Sequence, residues 1–282
     1  MLTLARQQIP TDLLQLAHPV KRLHVSGEGF EQLMNRPRLA IVGSRKITPY
    51  GRGVTENLTF QLAAKGVVII SGLALGVDSV AHQACLSVGG QTIAVLPCGL
   101  DKIYPSTHTN LARQIVVSGG VLVTEYDSET IPYPSNILER NRIIAALSEG
   151  VLVTKAAIRS GSLNTANHAL QLGKPILVVP SNITSPLSAG CNNLIKAGAM
   201  PVTCVEDILV ALKWTDISTE KKIPIGNTDE KTTILGLIYT GVSDGAELLI
   251  KSELPASTFN QSLTMLEITG KIRPTGANHW SV

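Results

Sequence analysis

The sequence predicts an α/β protein in which a parallel β-sheet is covered by helices on both faces, with a small helical unit following it. Three observations predict this. Between Arg38 and Thr215, seven strand-length runs rich in Val, Ile and Leu alternate with helical patterns. Polar residues scarcely interrupt these runs, as expected for strands buried on both faces in a parallel sheet. The composition agrees: of 282 residues 44% are hydrophobic and 16% charged, and the mean hydropathy is +0.21, whereas an ordinary soluble domain carries ~25% charge. Bulk disorder, collagen-like repeats and coiled coil are excluded.

The first 35 residues are too short for a domain and are expected to lie against the sheet as an N-terminal extension. The sheet domain is expected over residues 36–215. Its strands are LAIVG from Leu39, VVIIS from Val67, TIAVLP from Thr92, VLVTEY from Val121, VLVTKA from Val151, ILVVP from Ile176 and PVTCV from Pro201. Residues 216–233, DISTEKKIPIGNTDEKTT, are polar without an apolar period and read as a linker. Residues 234–282 then offer three short helical runs, ILGLIYTGV, AELLIKSEL and SLTMLEITGKI, before RPTGANHWSV, a Gly-containing hairpin. Three helices and a hairpin predict a winged-helix-like domain.

No apolar run reaches the ~18 residues of a membrane span. The opening MLTLARQQIPTDLLQ lacks a basic segment followed by an apolar core, so a cytoplasmic protein without a membrane partner is expected. Cys85, Cys98, Cys191 and Cys204 form no CxxC pair and lack a His at zinc spacing. They read as buried free thiols, with no metal. The net charge of +3 hides an asymmetry: residues 1–215 carry 18 Lys+Arg against 13 Asp+Glu, giving +5, and residues 216–282 carry 6 against 8, giving −2. A polyanion should prefer the first part.

In a parallel sheet, ligands gather beyond the carboxyl ends of the strands, where small-residue turns lead into helices. The first run ends in Gly43-Ser44-Arg45-Lys46, a turn whose backbone N–H groups and cations suit one phosphate; an ordinary surface loop reads the same way. The second ends in Ser71-Gly72-Leu73-Ala74-Leu75-Gly76-Val77-Asp78. Its glycines would let backbone approach a ligand, while helix capping alone explains Asp78. His82, one turn on, reads as a packing residue. After the fourth run and a Pro-bearing loop come Asn136, Arg140, Asn141 and Arg142 at a helix start. Cations at that positive end call for an anion, either a ligand or the carboxylate of Glu139 or Glu125. The fifth run ends at Lys155, followed by Arg159-Ser160-Gly161-Ser162 at another helix start, and Asn192 in SAGCNNLI either caps a helix or meets a ligand. Four such turns would form one continuous rim. GxGxxG, the Walker pattern and GxSxG are absent, and no nucleophile and base pair stands out, so neither enzymatic activity nor a cofactor is expected.

Taken together and in order, VGSR at Val42, SGLALGVDSVAH at Ser71, LPCGLDKIYP at Leu96, EY at Glu125, RNRIIAALS at Arg140, RSGSLNTA at Arg159 and GCNNLI at Gly190 resemble the DNA-processing protein A (DprA, or Smf) family. The resemblance covers about residues 17–213, and the C-terminal part looks like the winged-helix tail of many members. It implies an extended Rossmann-like domain that binds single-stranded DNA, forms a homodimer and loads the RecA recombinase during natural transformation. Carried over by position, the binding residues would be Ser44, Arg45, Lys46, Ser71, Gly72, Asn136, Arg140, Arg142, Ser160, Gly161 and Ser162. Lys155 stands where the family usually has an acid and adds a cation to that rim; Ile137 replaces a common aromatic, removing a base-stacking contact. The N-terminal helical domain of longer members is largely missing. A nucleoside-monophosphate hydrolase is the alternative, but RSGSLNTA lacks the carboxylate of the PGGxGTxxE segment by which such enzymes are known. A transcription factor reading is opposed by the net negative charge of the last part and by a recognition helix, TFNQSLTMLEITG, without Lys or Arg.

Overall fold

The computed structural model describes residues 2–214, 228–276 and 278–281. The chain divides into two compact units, Met1–Glu220 and Lys221–Val282.

The first unit is built on nine strands: β1 (Leu2–Leu4), β2 (Leu23–Ser26), β3 (Arg38–Gly43), β4 (Val68–Ser71), β5 (Thr92–Val95), β6 (Val121–Thr124), β7 (Gly150–Lys155), β8 (Ile176–Val178) and β9 (Met200–Pro201). They lie in the order β1-β2-β6-β5-β4-β3-β7-β8-β9. From β6 through β9 every pairing is parallel, and helices fill the crossovers, as parallel neighbours require. Every residue of β4, β5, β6 and β7 is buried, which is why those runs carry no polar alternation. The expected Rossmann-like sheet is therefore present. The chain winds outward from β3 to β6, then returns to place β7 on the other side of β3. This reversal makes β3/β7 the switch point of the sheet, where the crossover helices diverge and leave a crevice at the strand ends. A register shift between Val42 and Gly43, opposite Val153 and Lys155, lies at that end of the pair.

Three expectations are corrected here. The first 35 residues do more than lie against the sheet: β1 and β2 extend it, β2 pairing antiparallel with β6 and β1 with β2. PVTCV contributes only Pro201 to β9, because Asp207 accepts from Thr203 N (2.7 Å) and Cys204 N (3.2 Å) and so caps a helix beginning at Val205. Of the expected linker, residues 216–227 lie outside the described residues, and Asp229 to Thr233 belong to a helix, Asp229–Tyr239, capped by the Thr228 side chain.

The second unit holds that helix, two more at Gly245–Ser252 and Ala256–Ile268, and an antiparallel hairpin of β10 (Arg273–Gly276) and β11 (His279–Ser281). Asp244 caps the second helix, accepting from Ala246 N and Glu247 N at 3.0 Å each. Ile234, Leu248, Phe259, Leu263, Leu266 and Ile272 form a separate core. Among the described residues no helix is long and apolar enough to cross a membrane.

Candidate functional site

A cleft of about 600 Å³ opens at the carboxyl ends of β3 and β7, the switch point of the sheet. Its floor is the turn after β3. Gly43 has no room for a Cβ, which would run into the Val77 side chain and the Lys155 carbonyl. Ser44 N donates to Lys155 O at 2.7 Å, the Ser44 carbonyl accepts from Val77 N at 3.2 Å, and Ser44 Oγ accepts from Lys46 N at 3.1 Å. The backbone is thus pinned while the Arg45 and Lys46 side chains stay exposed, and neither enters an ion pair among the described residues. The facing wall is the turn after β7. Ser160 caps the helix Gly161–Gln171, its Oγ accepting from Ser162 N, and Arg159 is exposed beside it. Pro134, Ile137, Leu138 and Tyr104 supply an apolar side.

The structure brings Ser44, Arg45, Lys46, Arg140, Ser160, Gly161 and Ser162 to this cleft. The others lie elsewhere or are committed to internal bonds. Ser71 is fully buried and donates to Ile41 O at 2.6 Å, tying β4 to β3. Gly72 packs under the Arg140 guanidinium. Asn136 is half-buried beside the cleft and takes a bond from Ser135 Oγ at 3.3 Å. The three expected phosphate-holding cations Arg140, Arg142 and Lys155 are only 3%, 5% and 2% exposed, because each found a protein partner. Arg142 Nη2 pairs with Glu125 Oε2 at 2.6 Å, and Lys155 Nζ donates to Ser188 Oγ at 2.6 Å. Arg140 Nη1 reaches the carbonyls of Gly72 (2.5 Å) and Val95. Asn192 exchanges bonds with the Ser181 backbone at 3.4 and 3.2 Å, a structural tie.

Asn141, Arg159 and Tyr104 line the cleft although none was among the expected site residues. Asn141 Nδ2 donates to Gly161 O (3.3 Å) and Asn164 Oδ1 (3.2 Å), joining the helix Asn141–Leu147 to the Ser160 turn. Their signal was adjacency: Asn141 sits between two arginines, and Arg159 opens the Ser-Gly-Ser turn.

Among the described residues Asp78 is the only carboxylate lining the cleft. Burial raises its pKa above the usual carboxylate range despite Arg140 and the backbone amides of Ala74 and Gly72. Burial likewise lowers Arg140 to about 10, opposed by Asp78 and reinforced by the nearby Arg45 charge. His82 is fully buried against Thr92. Cys85, Cys98 and Cys191 are buried, whereas Cys204 is exposed, correcting the reading of four buried thiols. The described residues hold no cluster of metal-ligating side chains. What the cleft presents is two small-residue turns lining one space with exposed cations at both: a receptor for anionic oxygens.

Comparison with known proteins agrees with this fold. Residues 1–213 match the family model of DNA recombination-mediator protein A. The chain is 44% identical over 205 residues to protein Smf of Escherichia coli K12, covering 73% of this chain and 54% of that one, so it spans about half the length of that curated relative. It is similar to the X-ray structure of DNA processing protein A from Streptococcus pneumoniae, at 35% identity and a TM-score of 0.68 over 74% of this chain and 73% of that one. It is similar, too, to a structure of DNA processing protein A from Helicobacter pylori described for its single-stranded DNA binding mode. There the identity is 33% and the TM-score 0.68, over 75% of this chain and 96% of that one.

Proposed function

This chain belongs to the DNA recombination-mediator protein A family, and on that footing we propose that it binds single-stranded DNA in the switch-point cleft and delivers the strand to a RecA recombinase during uptake of DNA. The observation that carries the reading is the pair of facing turns, Ser44–Lys46 and Arg159–Ser162, whose exposed cations lack protein partners among the described residues. Arg45, Lys46 and Arg159 hold phosphates, helped by Ser44, Ser160, Gly161 and Ser162, with Asn136 beside them at the rim. Ser71, Gly72, Arg142 and Lys155 support the walls from inside. The Helicobacter pylori relative, described for its single-stranded DNA binding, supports the ligand class.

The protein acts without catalysis in this reading. Asp78, the one carboxylate in the cleft among the described residues, accepts from Gly72 N at 3.1 Å and sits against Arg140, so it is not free to attack a glycosidic bond. We assign the same protein a homodimeric, cytoplasmic life and a second unit, Lys221–Val282, that is winged-helix-like and binds a partner. A monomer by light scattering at micromolar concentration would remove the dimer.

The test is a gel shift with single-stranded and duplex DNA of equal length over a range of salt. Single strands should bind more tightly, with little sequence preference, because phosphate contacts carry no base information. Arg45→Ala should weaken binding of every sequence and lower the slope of log affinity against log salt by about one. Equal or tighter binding of duplex at matched salt overturns the reading.

A further inference from the structure

Arg140 is a charged side chain in the wall of a cleft for anions, yet it is only 3% exposed. It sits between two helices, closing Pro134–Glu139 and opening Asn141–Leu147. Its Nη1 donates to Gly72 O, just past β4, and to Val95 O, the last residue of β5. Its guanidinium lies so close over Gly72 that any Cβ there would collide with it. The opposite charge of Asp78 faces it, and Asp78 in turn holds Gly72 N. One planar group therefore gathers two strand ends and the start of a helix, a task for its fork of fixed donors that a lysine ammonium cannot copy.

What it gathers is a strained turn. Leu73 is held at φ +57°, a conformation that persists in a leucine only where surrounding contacts enforce it, and Gly76 turns the chain at φ +81°, which glycine alone adopts freely. The phosphate-facing turn rests directly on this one. A Cβ on Gly76 would strike the carbonyls of Ser44 and Arg45, and Val77 N donates to Ser44 O. The line of contact thus runs from Arg140 through Gly72 and Gly76 to Ser44 and Arg45.

We propose that Arg140 is a positioning residue: it touches no phosphate but holds the Gly72–Gly76 turn in the shape that sets the Ser44–Lys46 turn for the strand. The proposal rests on the single-stranded DNA reading for its ligand, but its geometric content stands apart from it.

Two variants test it, Arg140→Lys, which keeps the charge, and Gly72→Ala, which keeps Arg140 but displaces it. Each is compared with wild type alone and combined with Arg45→Ala, at a temperature below the melting transition of every variant. Single-stranded DNA affinity is expected to fall by about tenfold or more in both, since small misplacements of a binding group are costly. Arg45→Ala should then cost less than about twofold in either background, because a displaced Arg45 has little left to lose. Amide hydrogen exchange supplies a readout without DNA. Ser44 and Val77, whose amides donate to Lys155 O and Ser44 O, should lose protection, while Val151, donating to Pro175 O at the far end of β7, should not. Arg140→Lys binding like wild type would show that charge at this place suffices and overturn the proposal, as would an unchanged cost of Arg45→Ala. Unchanged protection at Ser44 and Val77 overturns it on structural grounds. If the wild-type protein fails to bind single strands, the ligand reading falls, and the exchange measurement still decides whether Arg140 positions the turn.

Discussion

His82 lies on the helix Val77–Ser87 with no surface exposed, its Nδ1 2.7 Å from Thr92 Oγ1 and its Nε2 without a partner among the described residues. Burial first, then the His108 and Arg140 charges, lower its pKa from an ordinary 6.5 to about 3. The unfolded chain therefore takes up a proton below pH 6.5 that the folded protein refuses until about pH 3. In that window the unfolded state binds more protons, so stability falls as the pH falls. The loss should amount to about 1.4 kcal/mol between pH ~7.5 and ~5.5, one proton's worth of linkage. Asp78 acts in the opposite sense: its raised pKa means that the folded state binds a proton first, which offsets some of the acid loss once the carboxylate range is reached. Urea unfolding of wild type and His82→Gln at the two pH values checks the assignment. Wild type should be the more acid-sensitive by that amount, and equal sensitivity would mean that His82 takes no part. At this scale, then, buried polar groups serve the fold. Arg142 and Lys155 were conspicuous in the sequence as possible ligand contacts, and each is committed to a carboxylate or hydroxyl inside, while His82, which reads as a packing residue, is bonded to the Thr92 hydroxyl.

At the scale of elements, the turn at Gly76 joins fold to site. Its backbone, φ +81° and ψ −125°, is open to glycine and strained for other residues, and a Cβ there would meet the Ser44 and Arg45 carbonyls. Gly76→Ala is expected to destabilise the protein by roughly 1–3 kcal/mol and to weaken single-strand binding through the displaced Arg45. Gly53→Ala is the control. Gly53 lies in the helix Pro49–Ala64 with nothing near its would-be Cβ, so alanine should be neutral or stabilise by about 0.5–1 kcal/mol. Thermal melts and affinities of the two variants check this, and a harmless Gly76→Ala would break the proposed line from the glycine turn to the phosphate turn. The same turns show what could be read from sequence. Strands β3 to β8 were legible because burial on both faces leaves uninterrupted apolar runs. By contrast β1 and β2 were not, being only three and four residues long at an antiparallel edge, with His24 and Thr3 bonded to each other. The Ser44 and Ser160 turns were legible because a small-residue strand-to-helix junction is a local pattern. The burial of Arg140 was not, because its partners Gly72 and Val95 lie 68 and 45 residues away.

At the scale of the molecule, the two units divide charge as well as structure. Residues 1–215 carry a net +5 and residues 216–282 a net −2, and each unit packs its own core, around Ile70, Val95 and Val153 in the first and Ile234, Leu248 and Phe259 in the second. The cleft, its exposed cations and every residue of the line from Arg140 to Arg45 belong to the first unit. A protein truncated after Thr215 should therefore melt cooperatively by itself and hold single-stranded DNA within about threefold of the full chain. Its salt slope should be unchanged, since that slope counts phosphates neutralised and the second unit is not asked to neutralise any. Removing net negative charge should also speed association slightly at low salt, an effect that fades once the Debye length shrinks to about 10 Å near 0.1 M. The competing arrangement has the second unit close over the strand. The hairpin gives that arrangement some chemistry, since Lys271 and Arg273 stand exposed there. Under it, the truncated protein, still showing its own melting transition, would bind about tenfold or more weakly with a slope lowered by about two, one for each lost cation contact. A lower affinity with an unchanged slope would point elsewhere, to a second unit that completes a dimer and so raises affinity by joining two clefts on one strand.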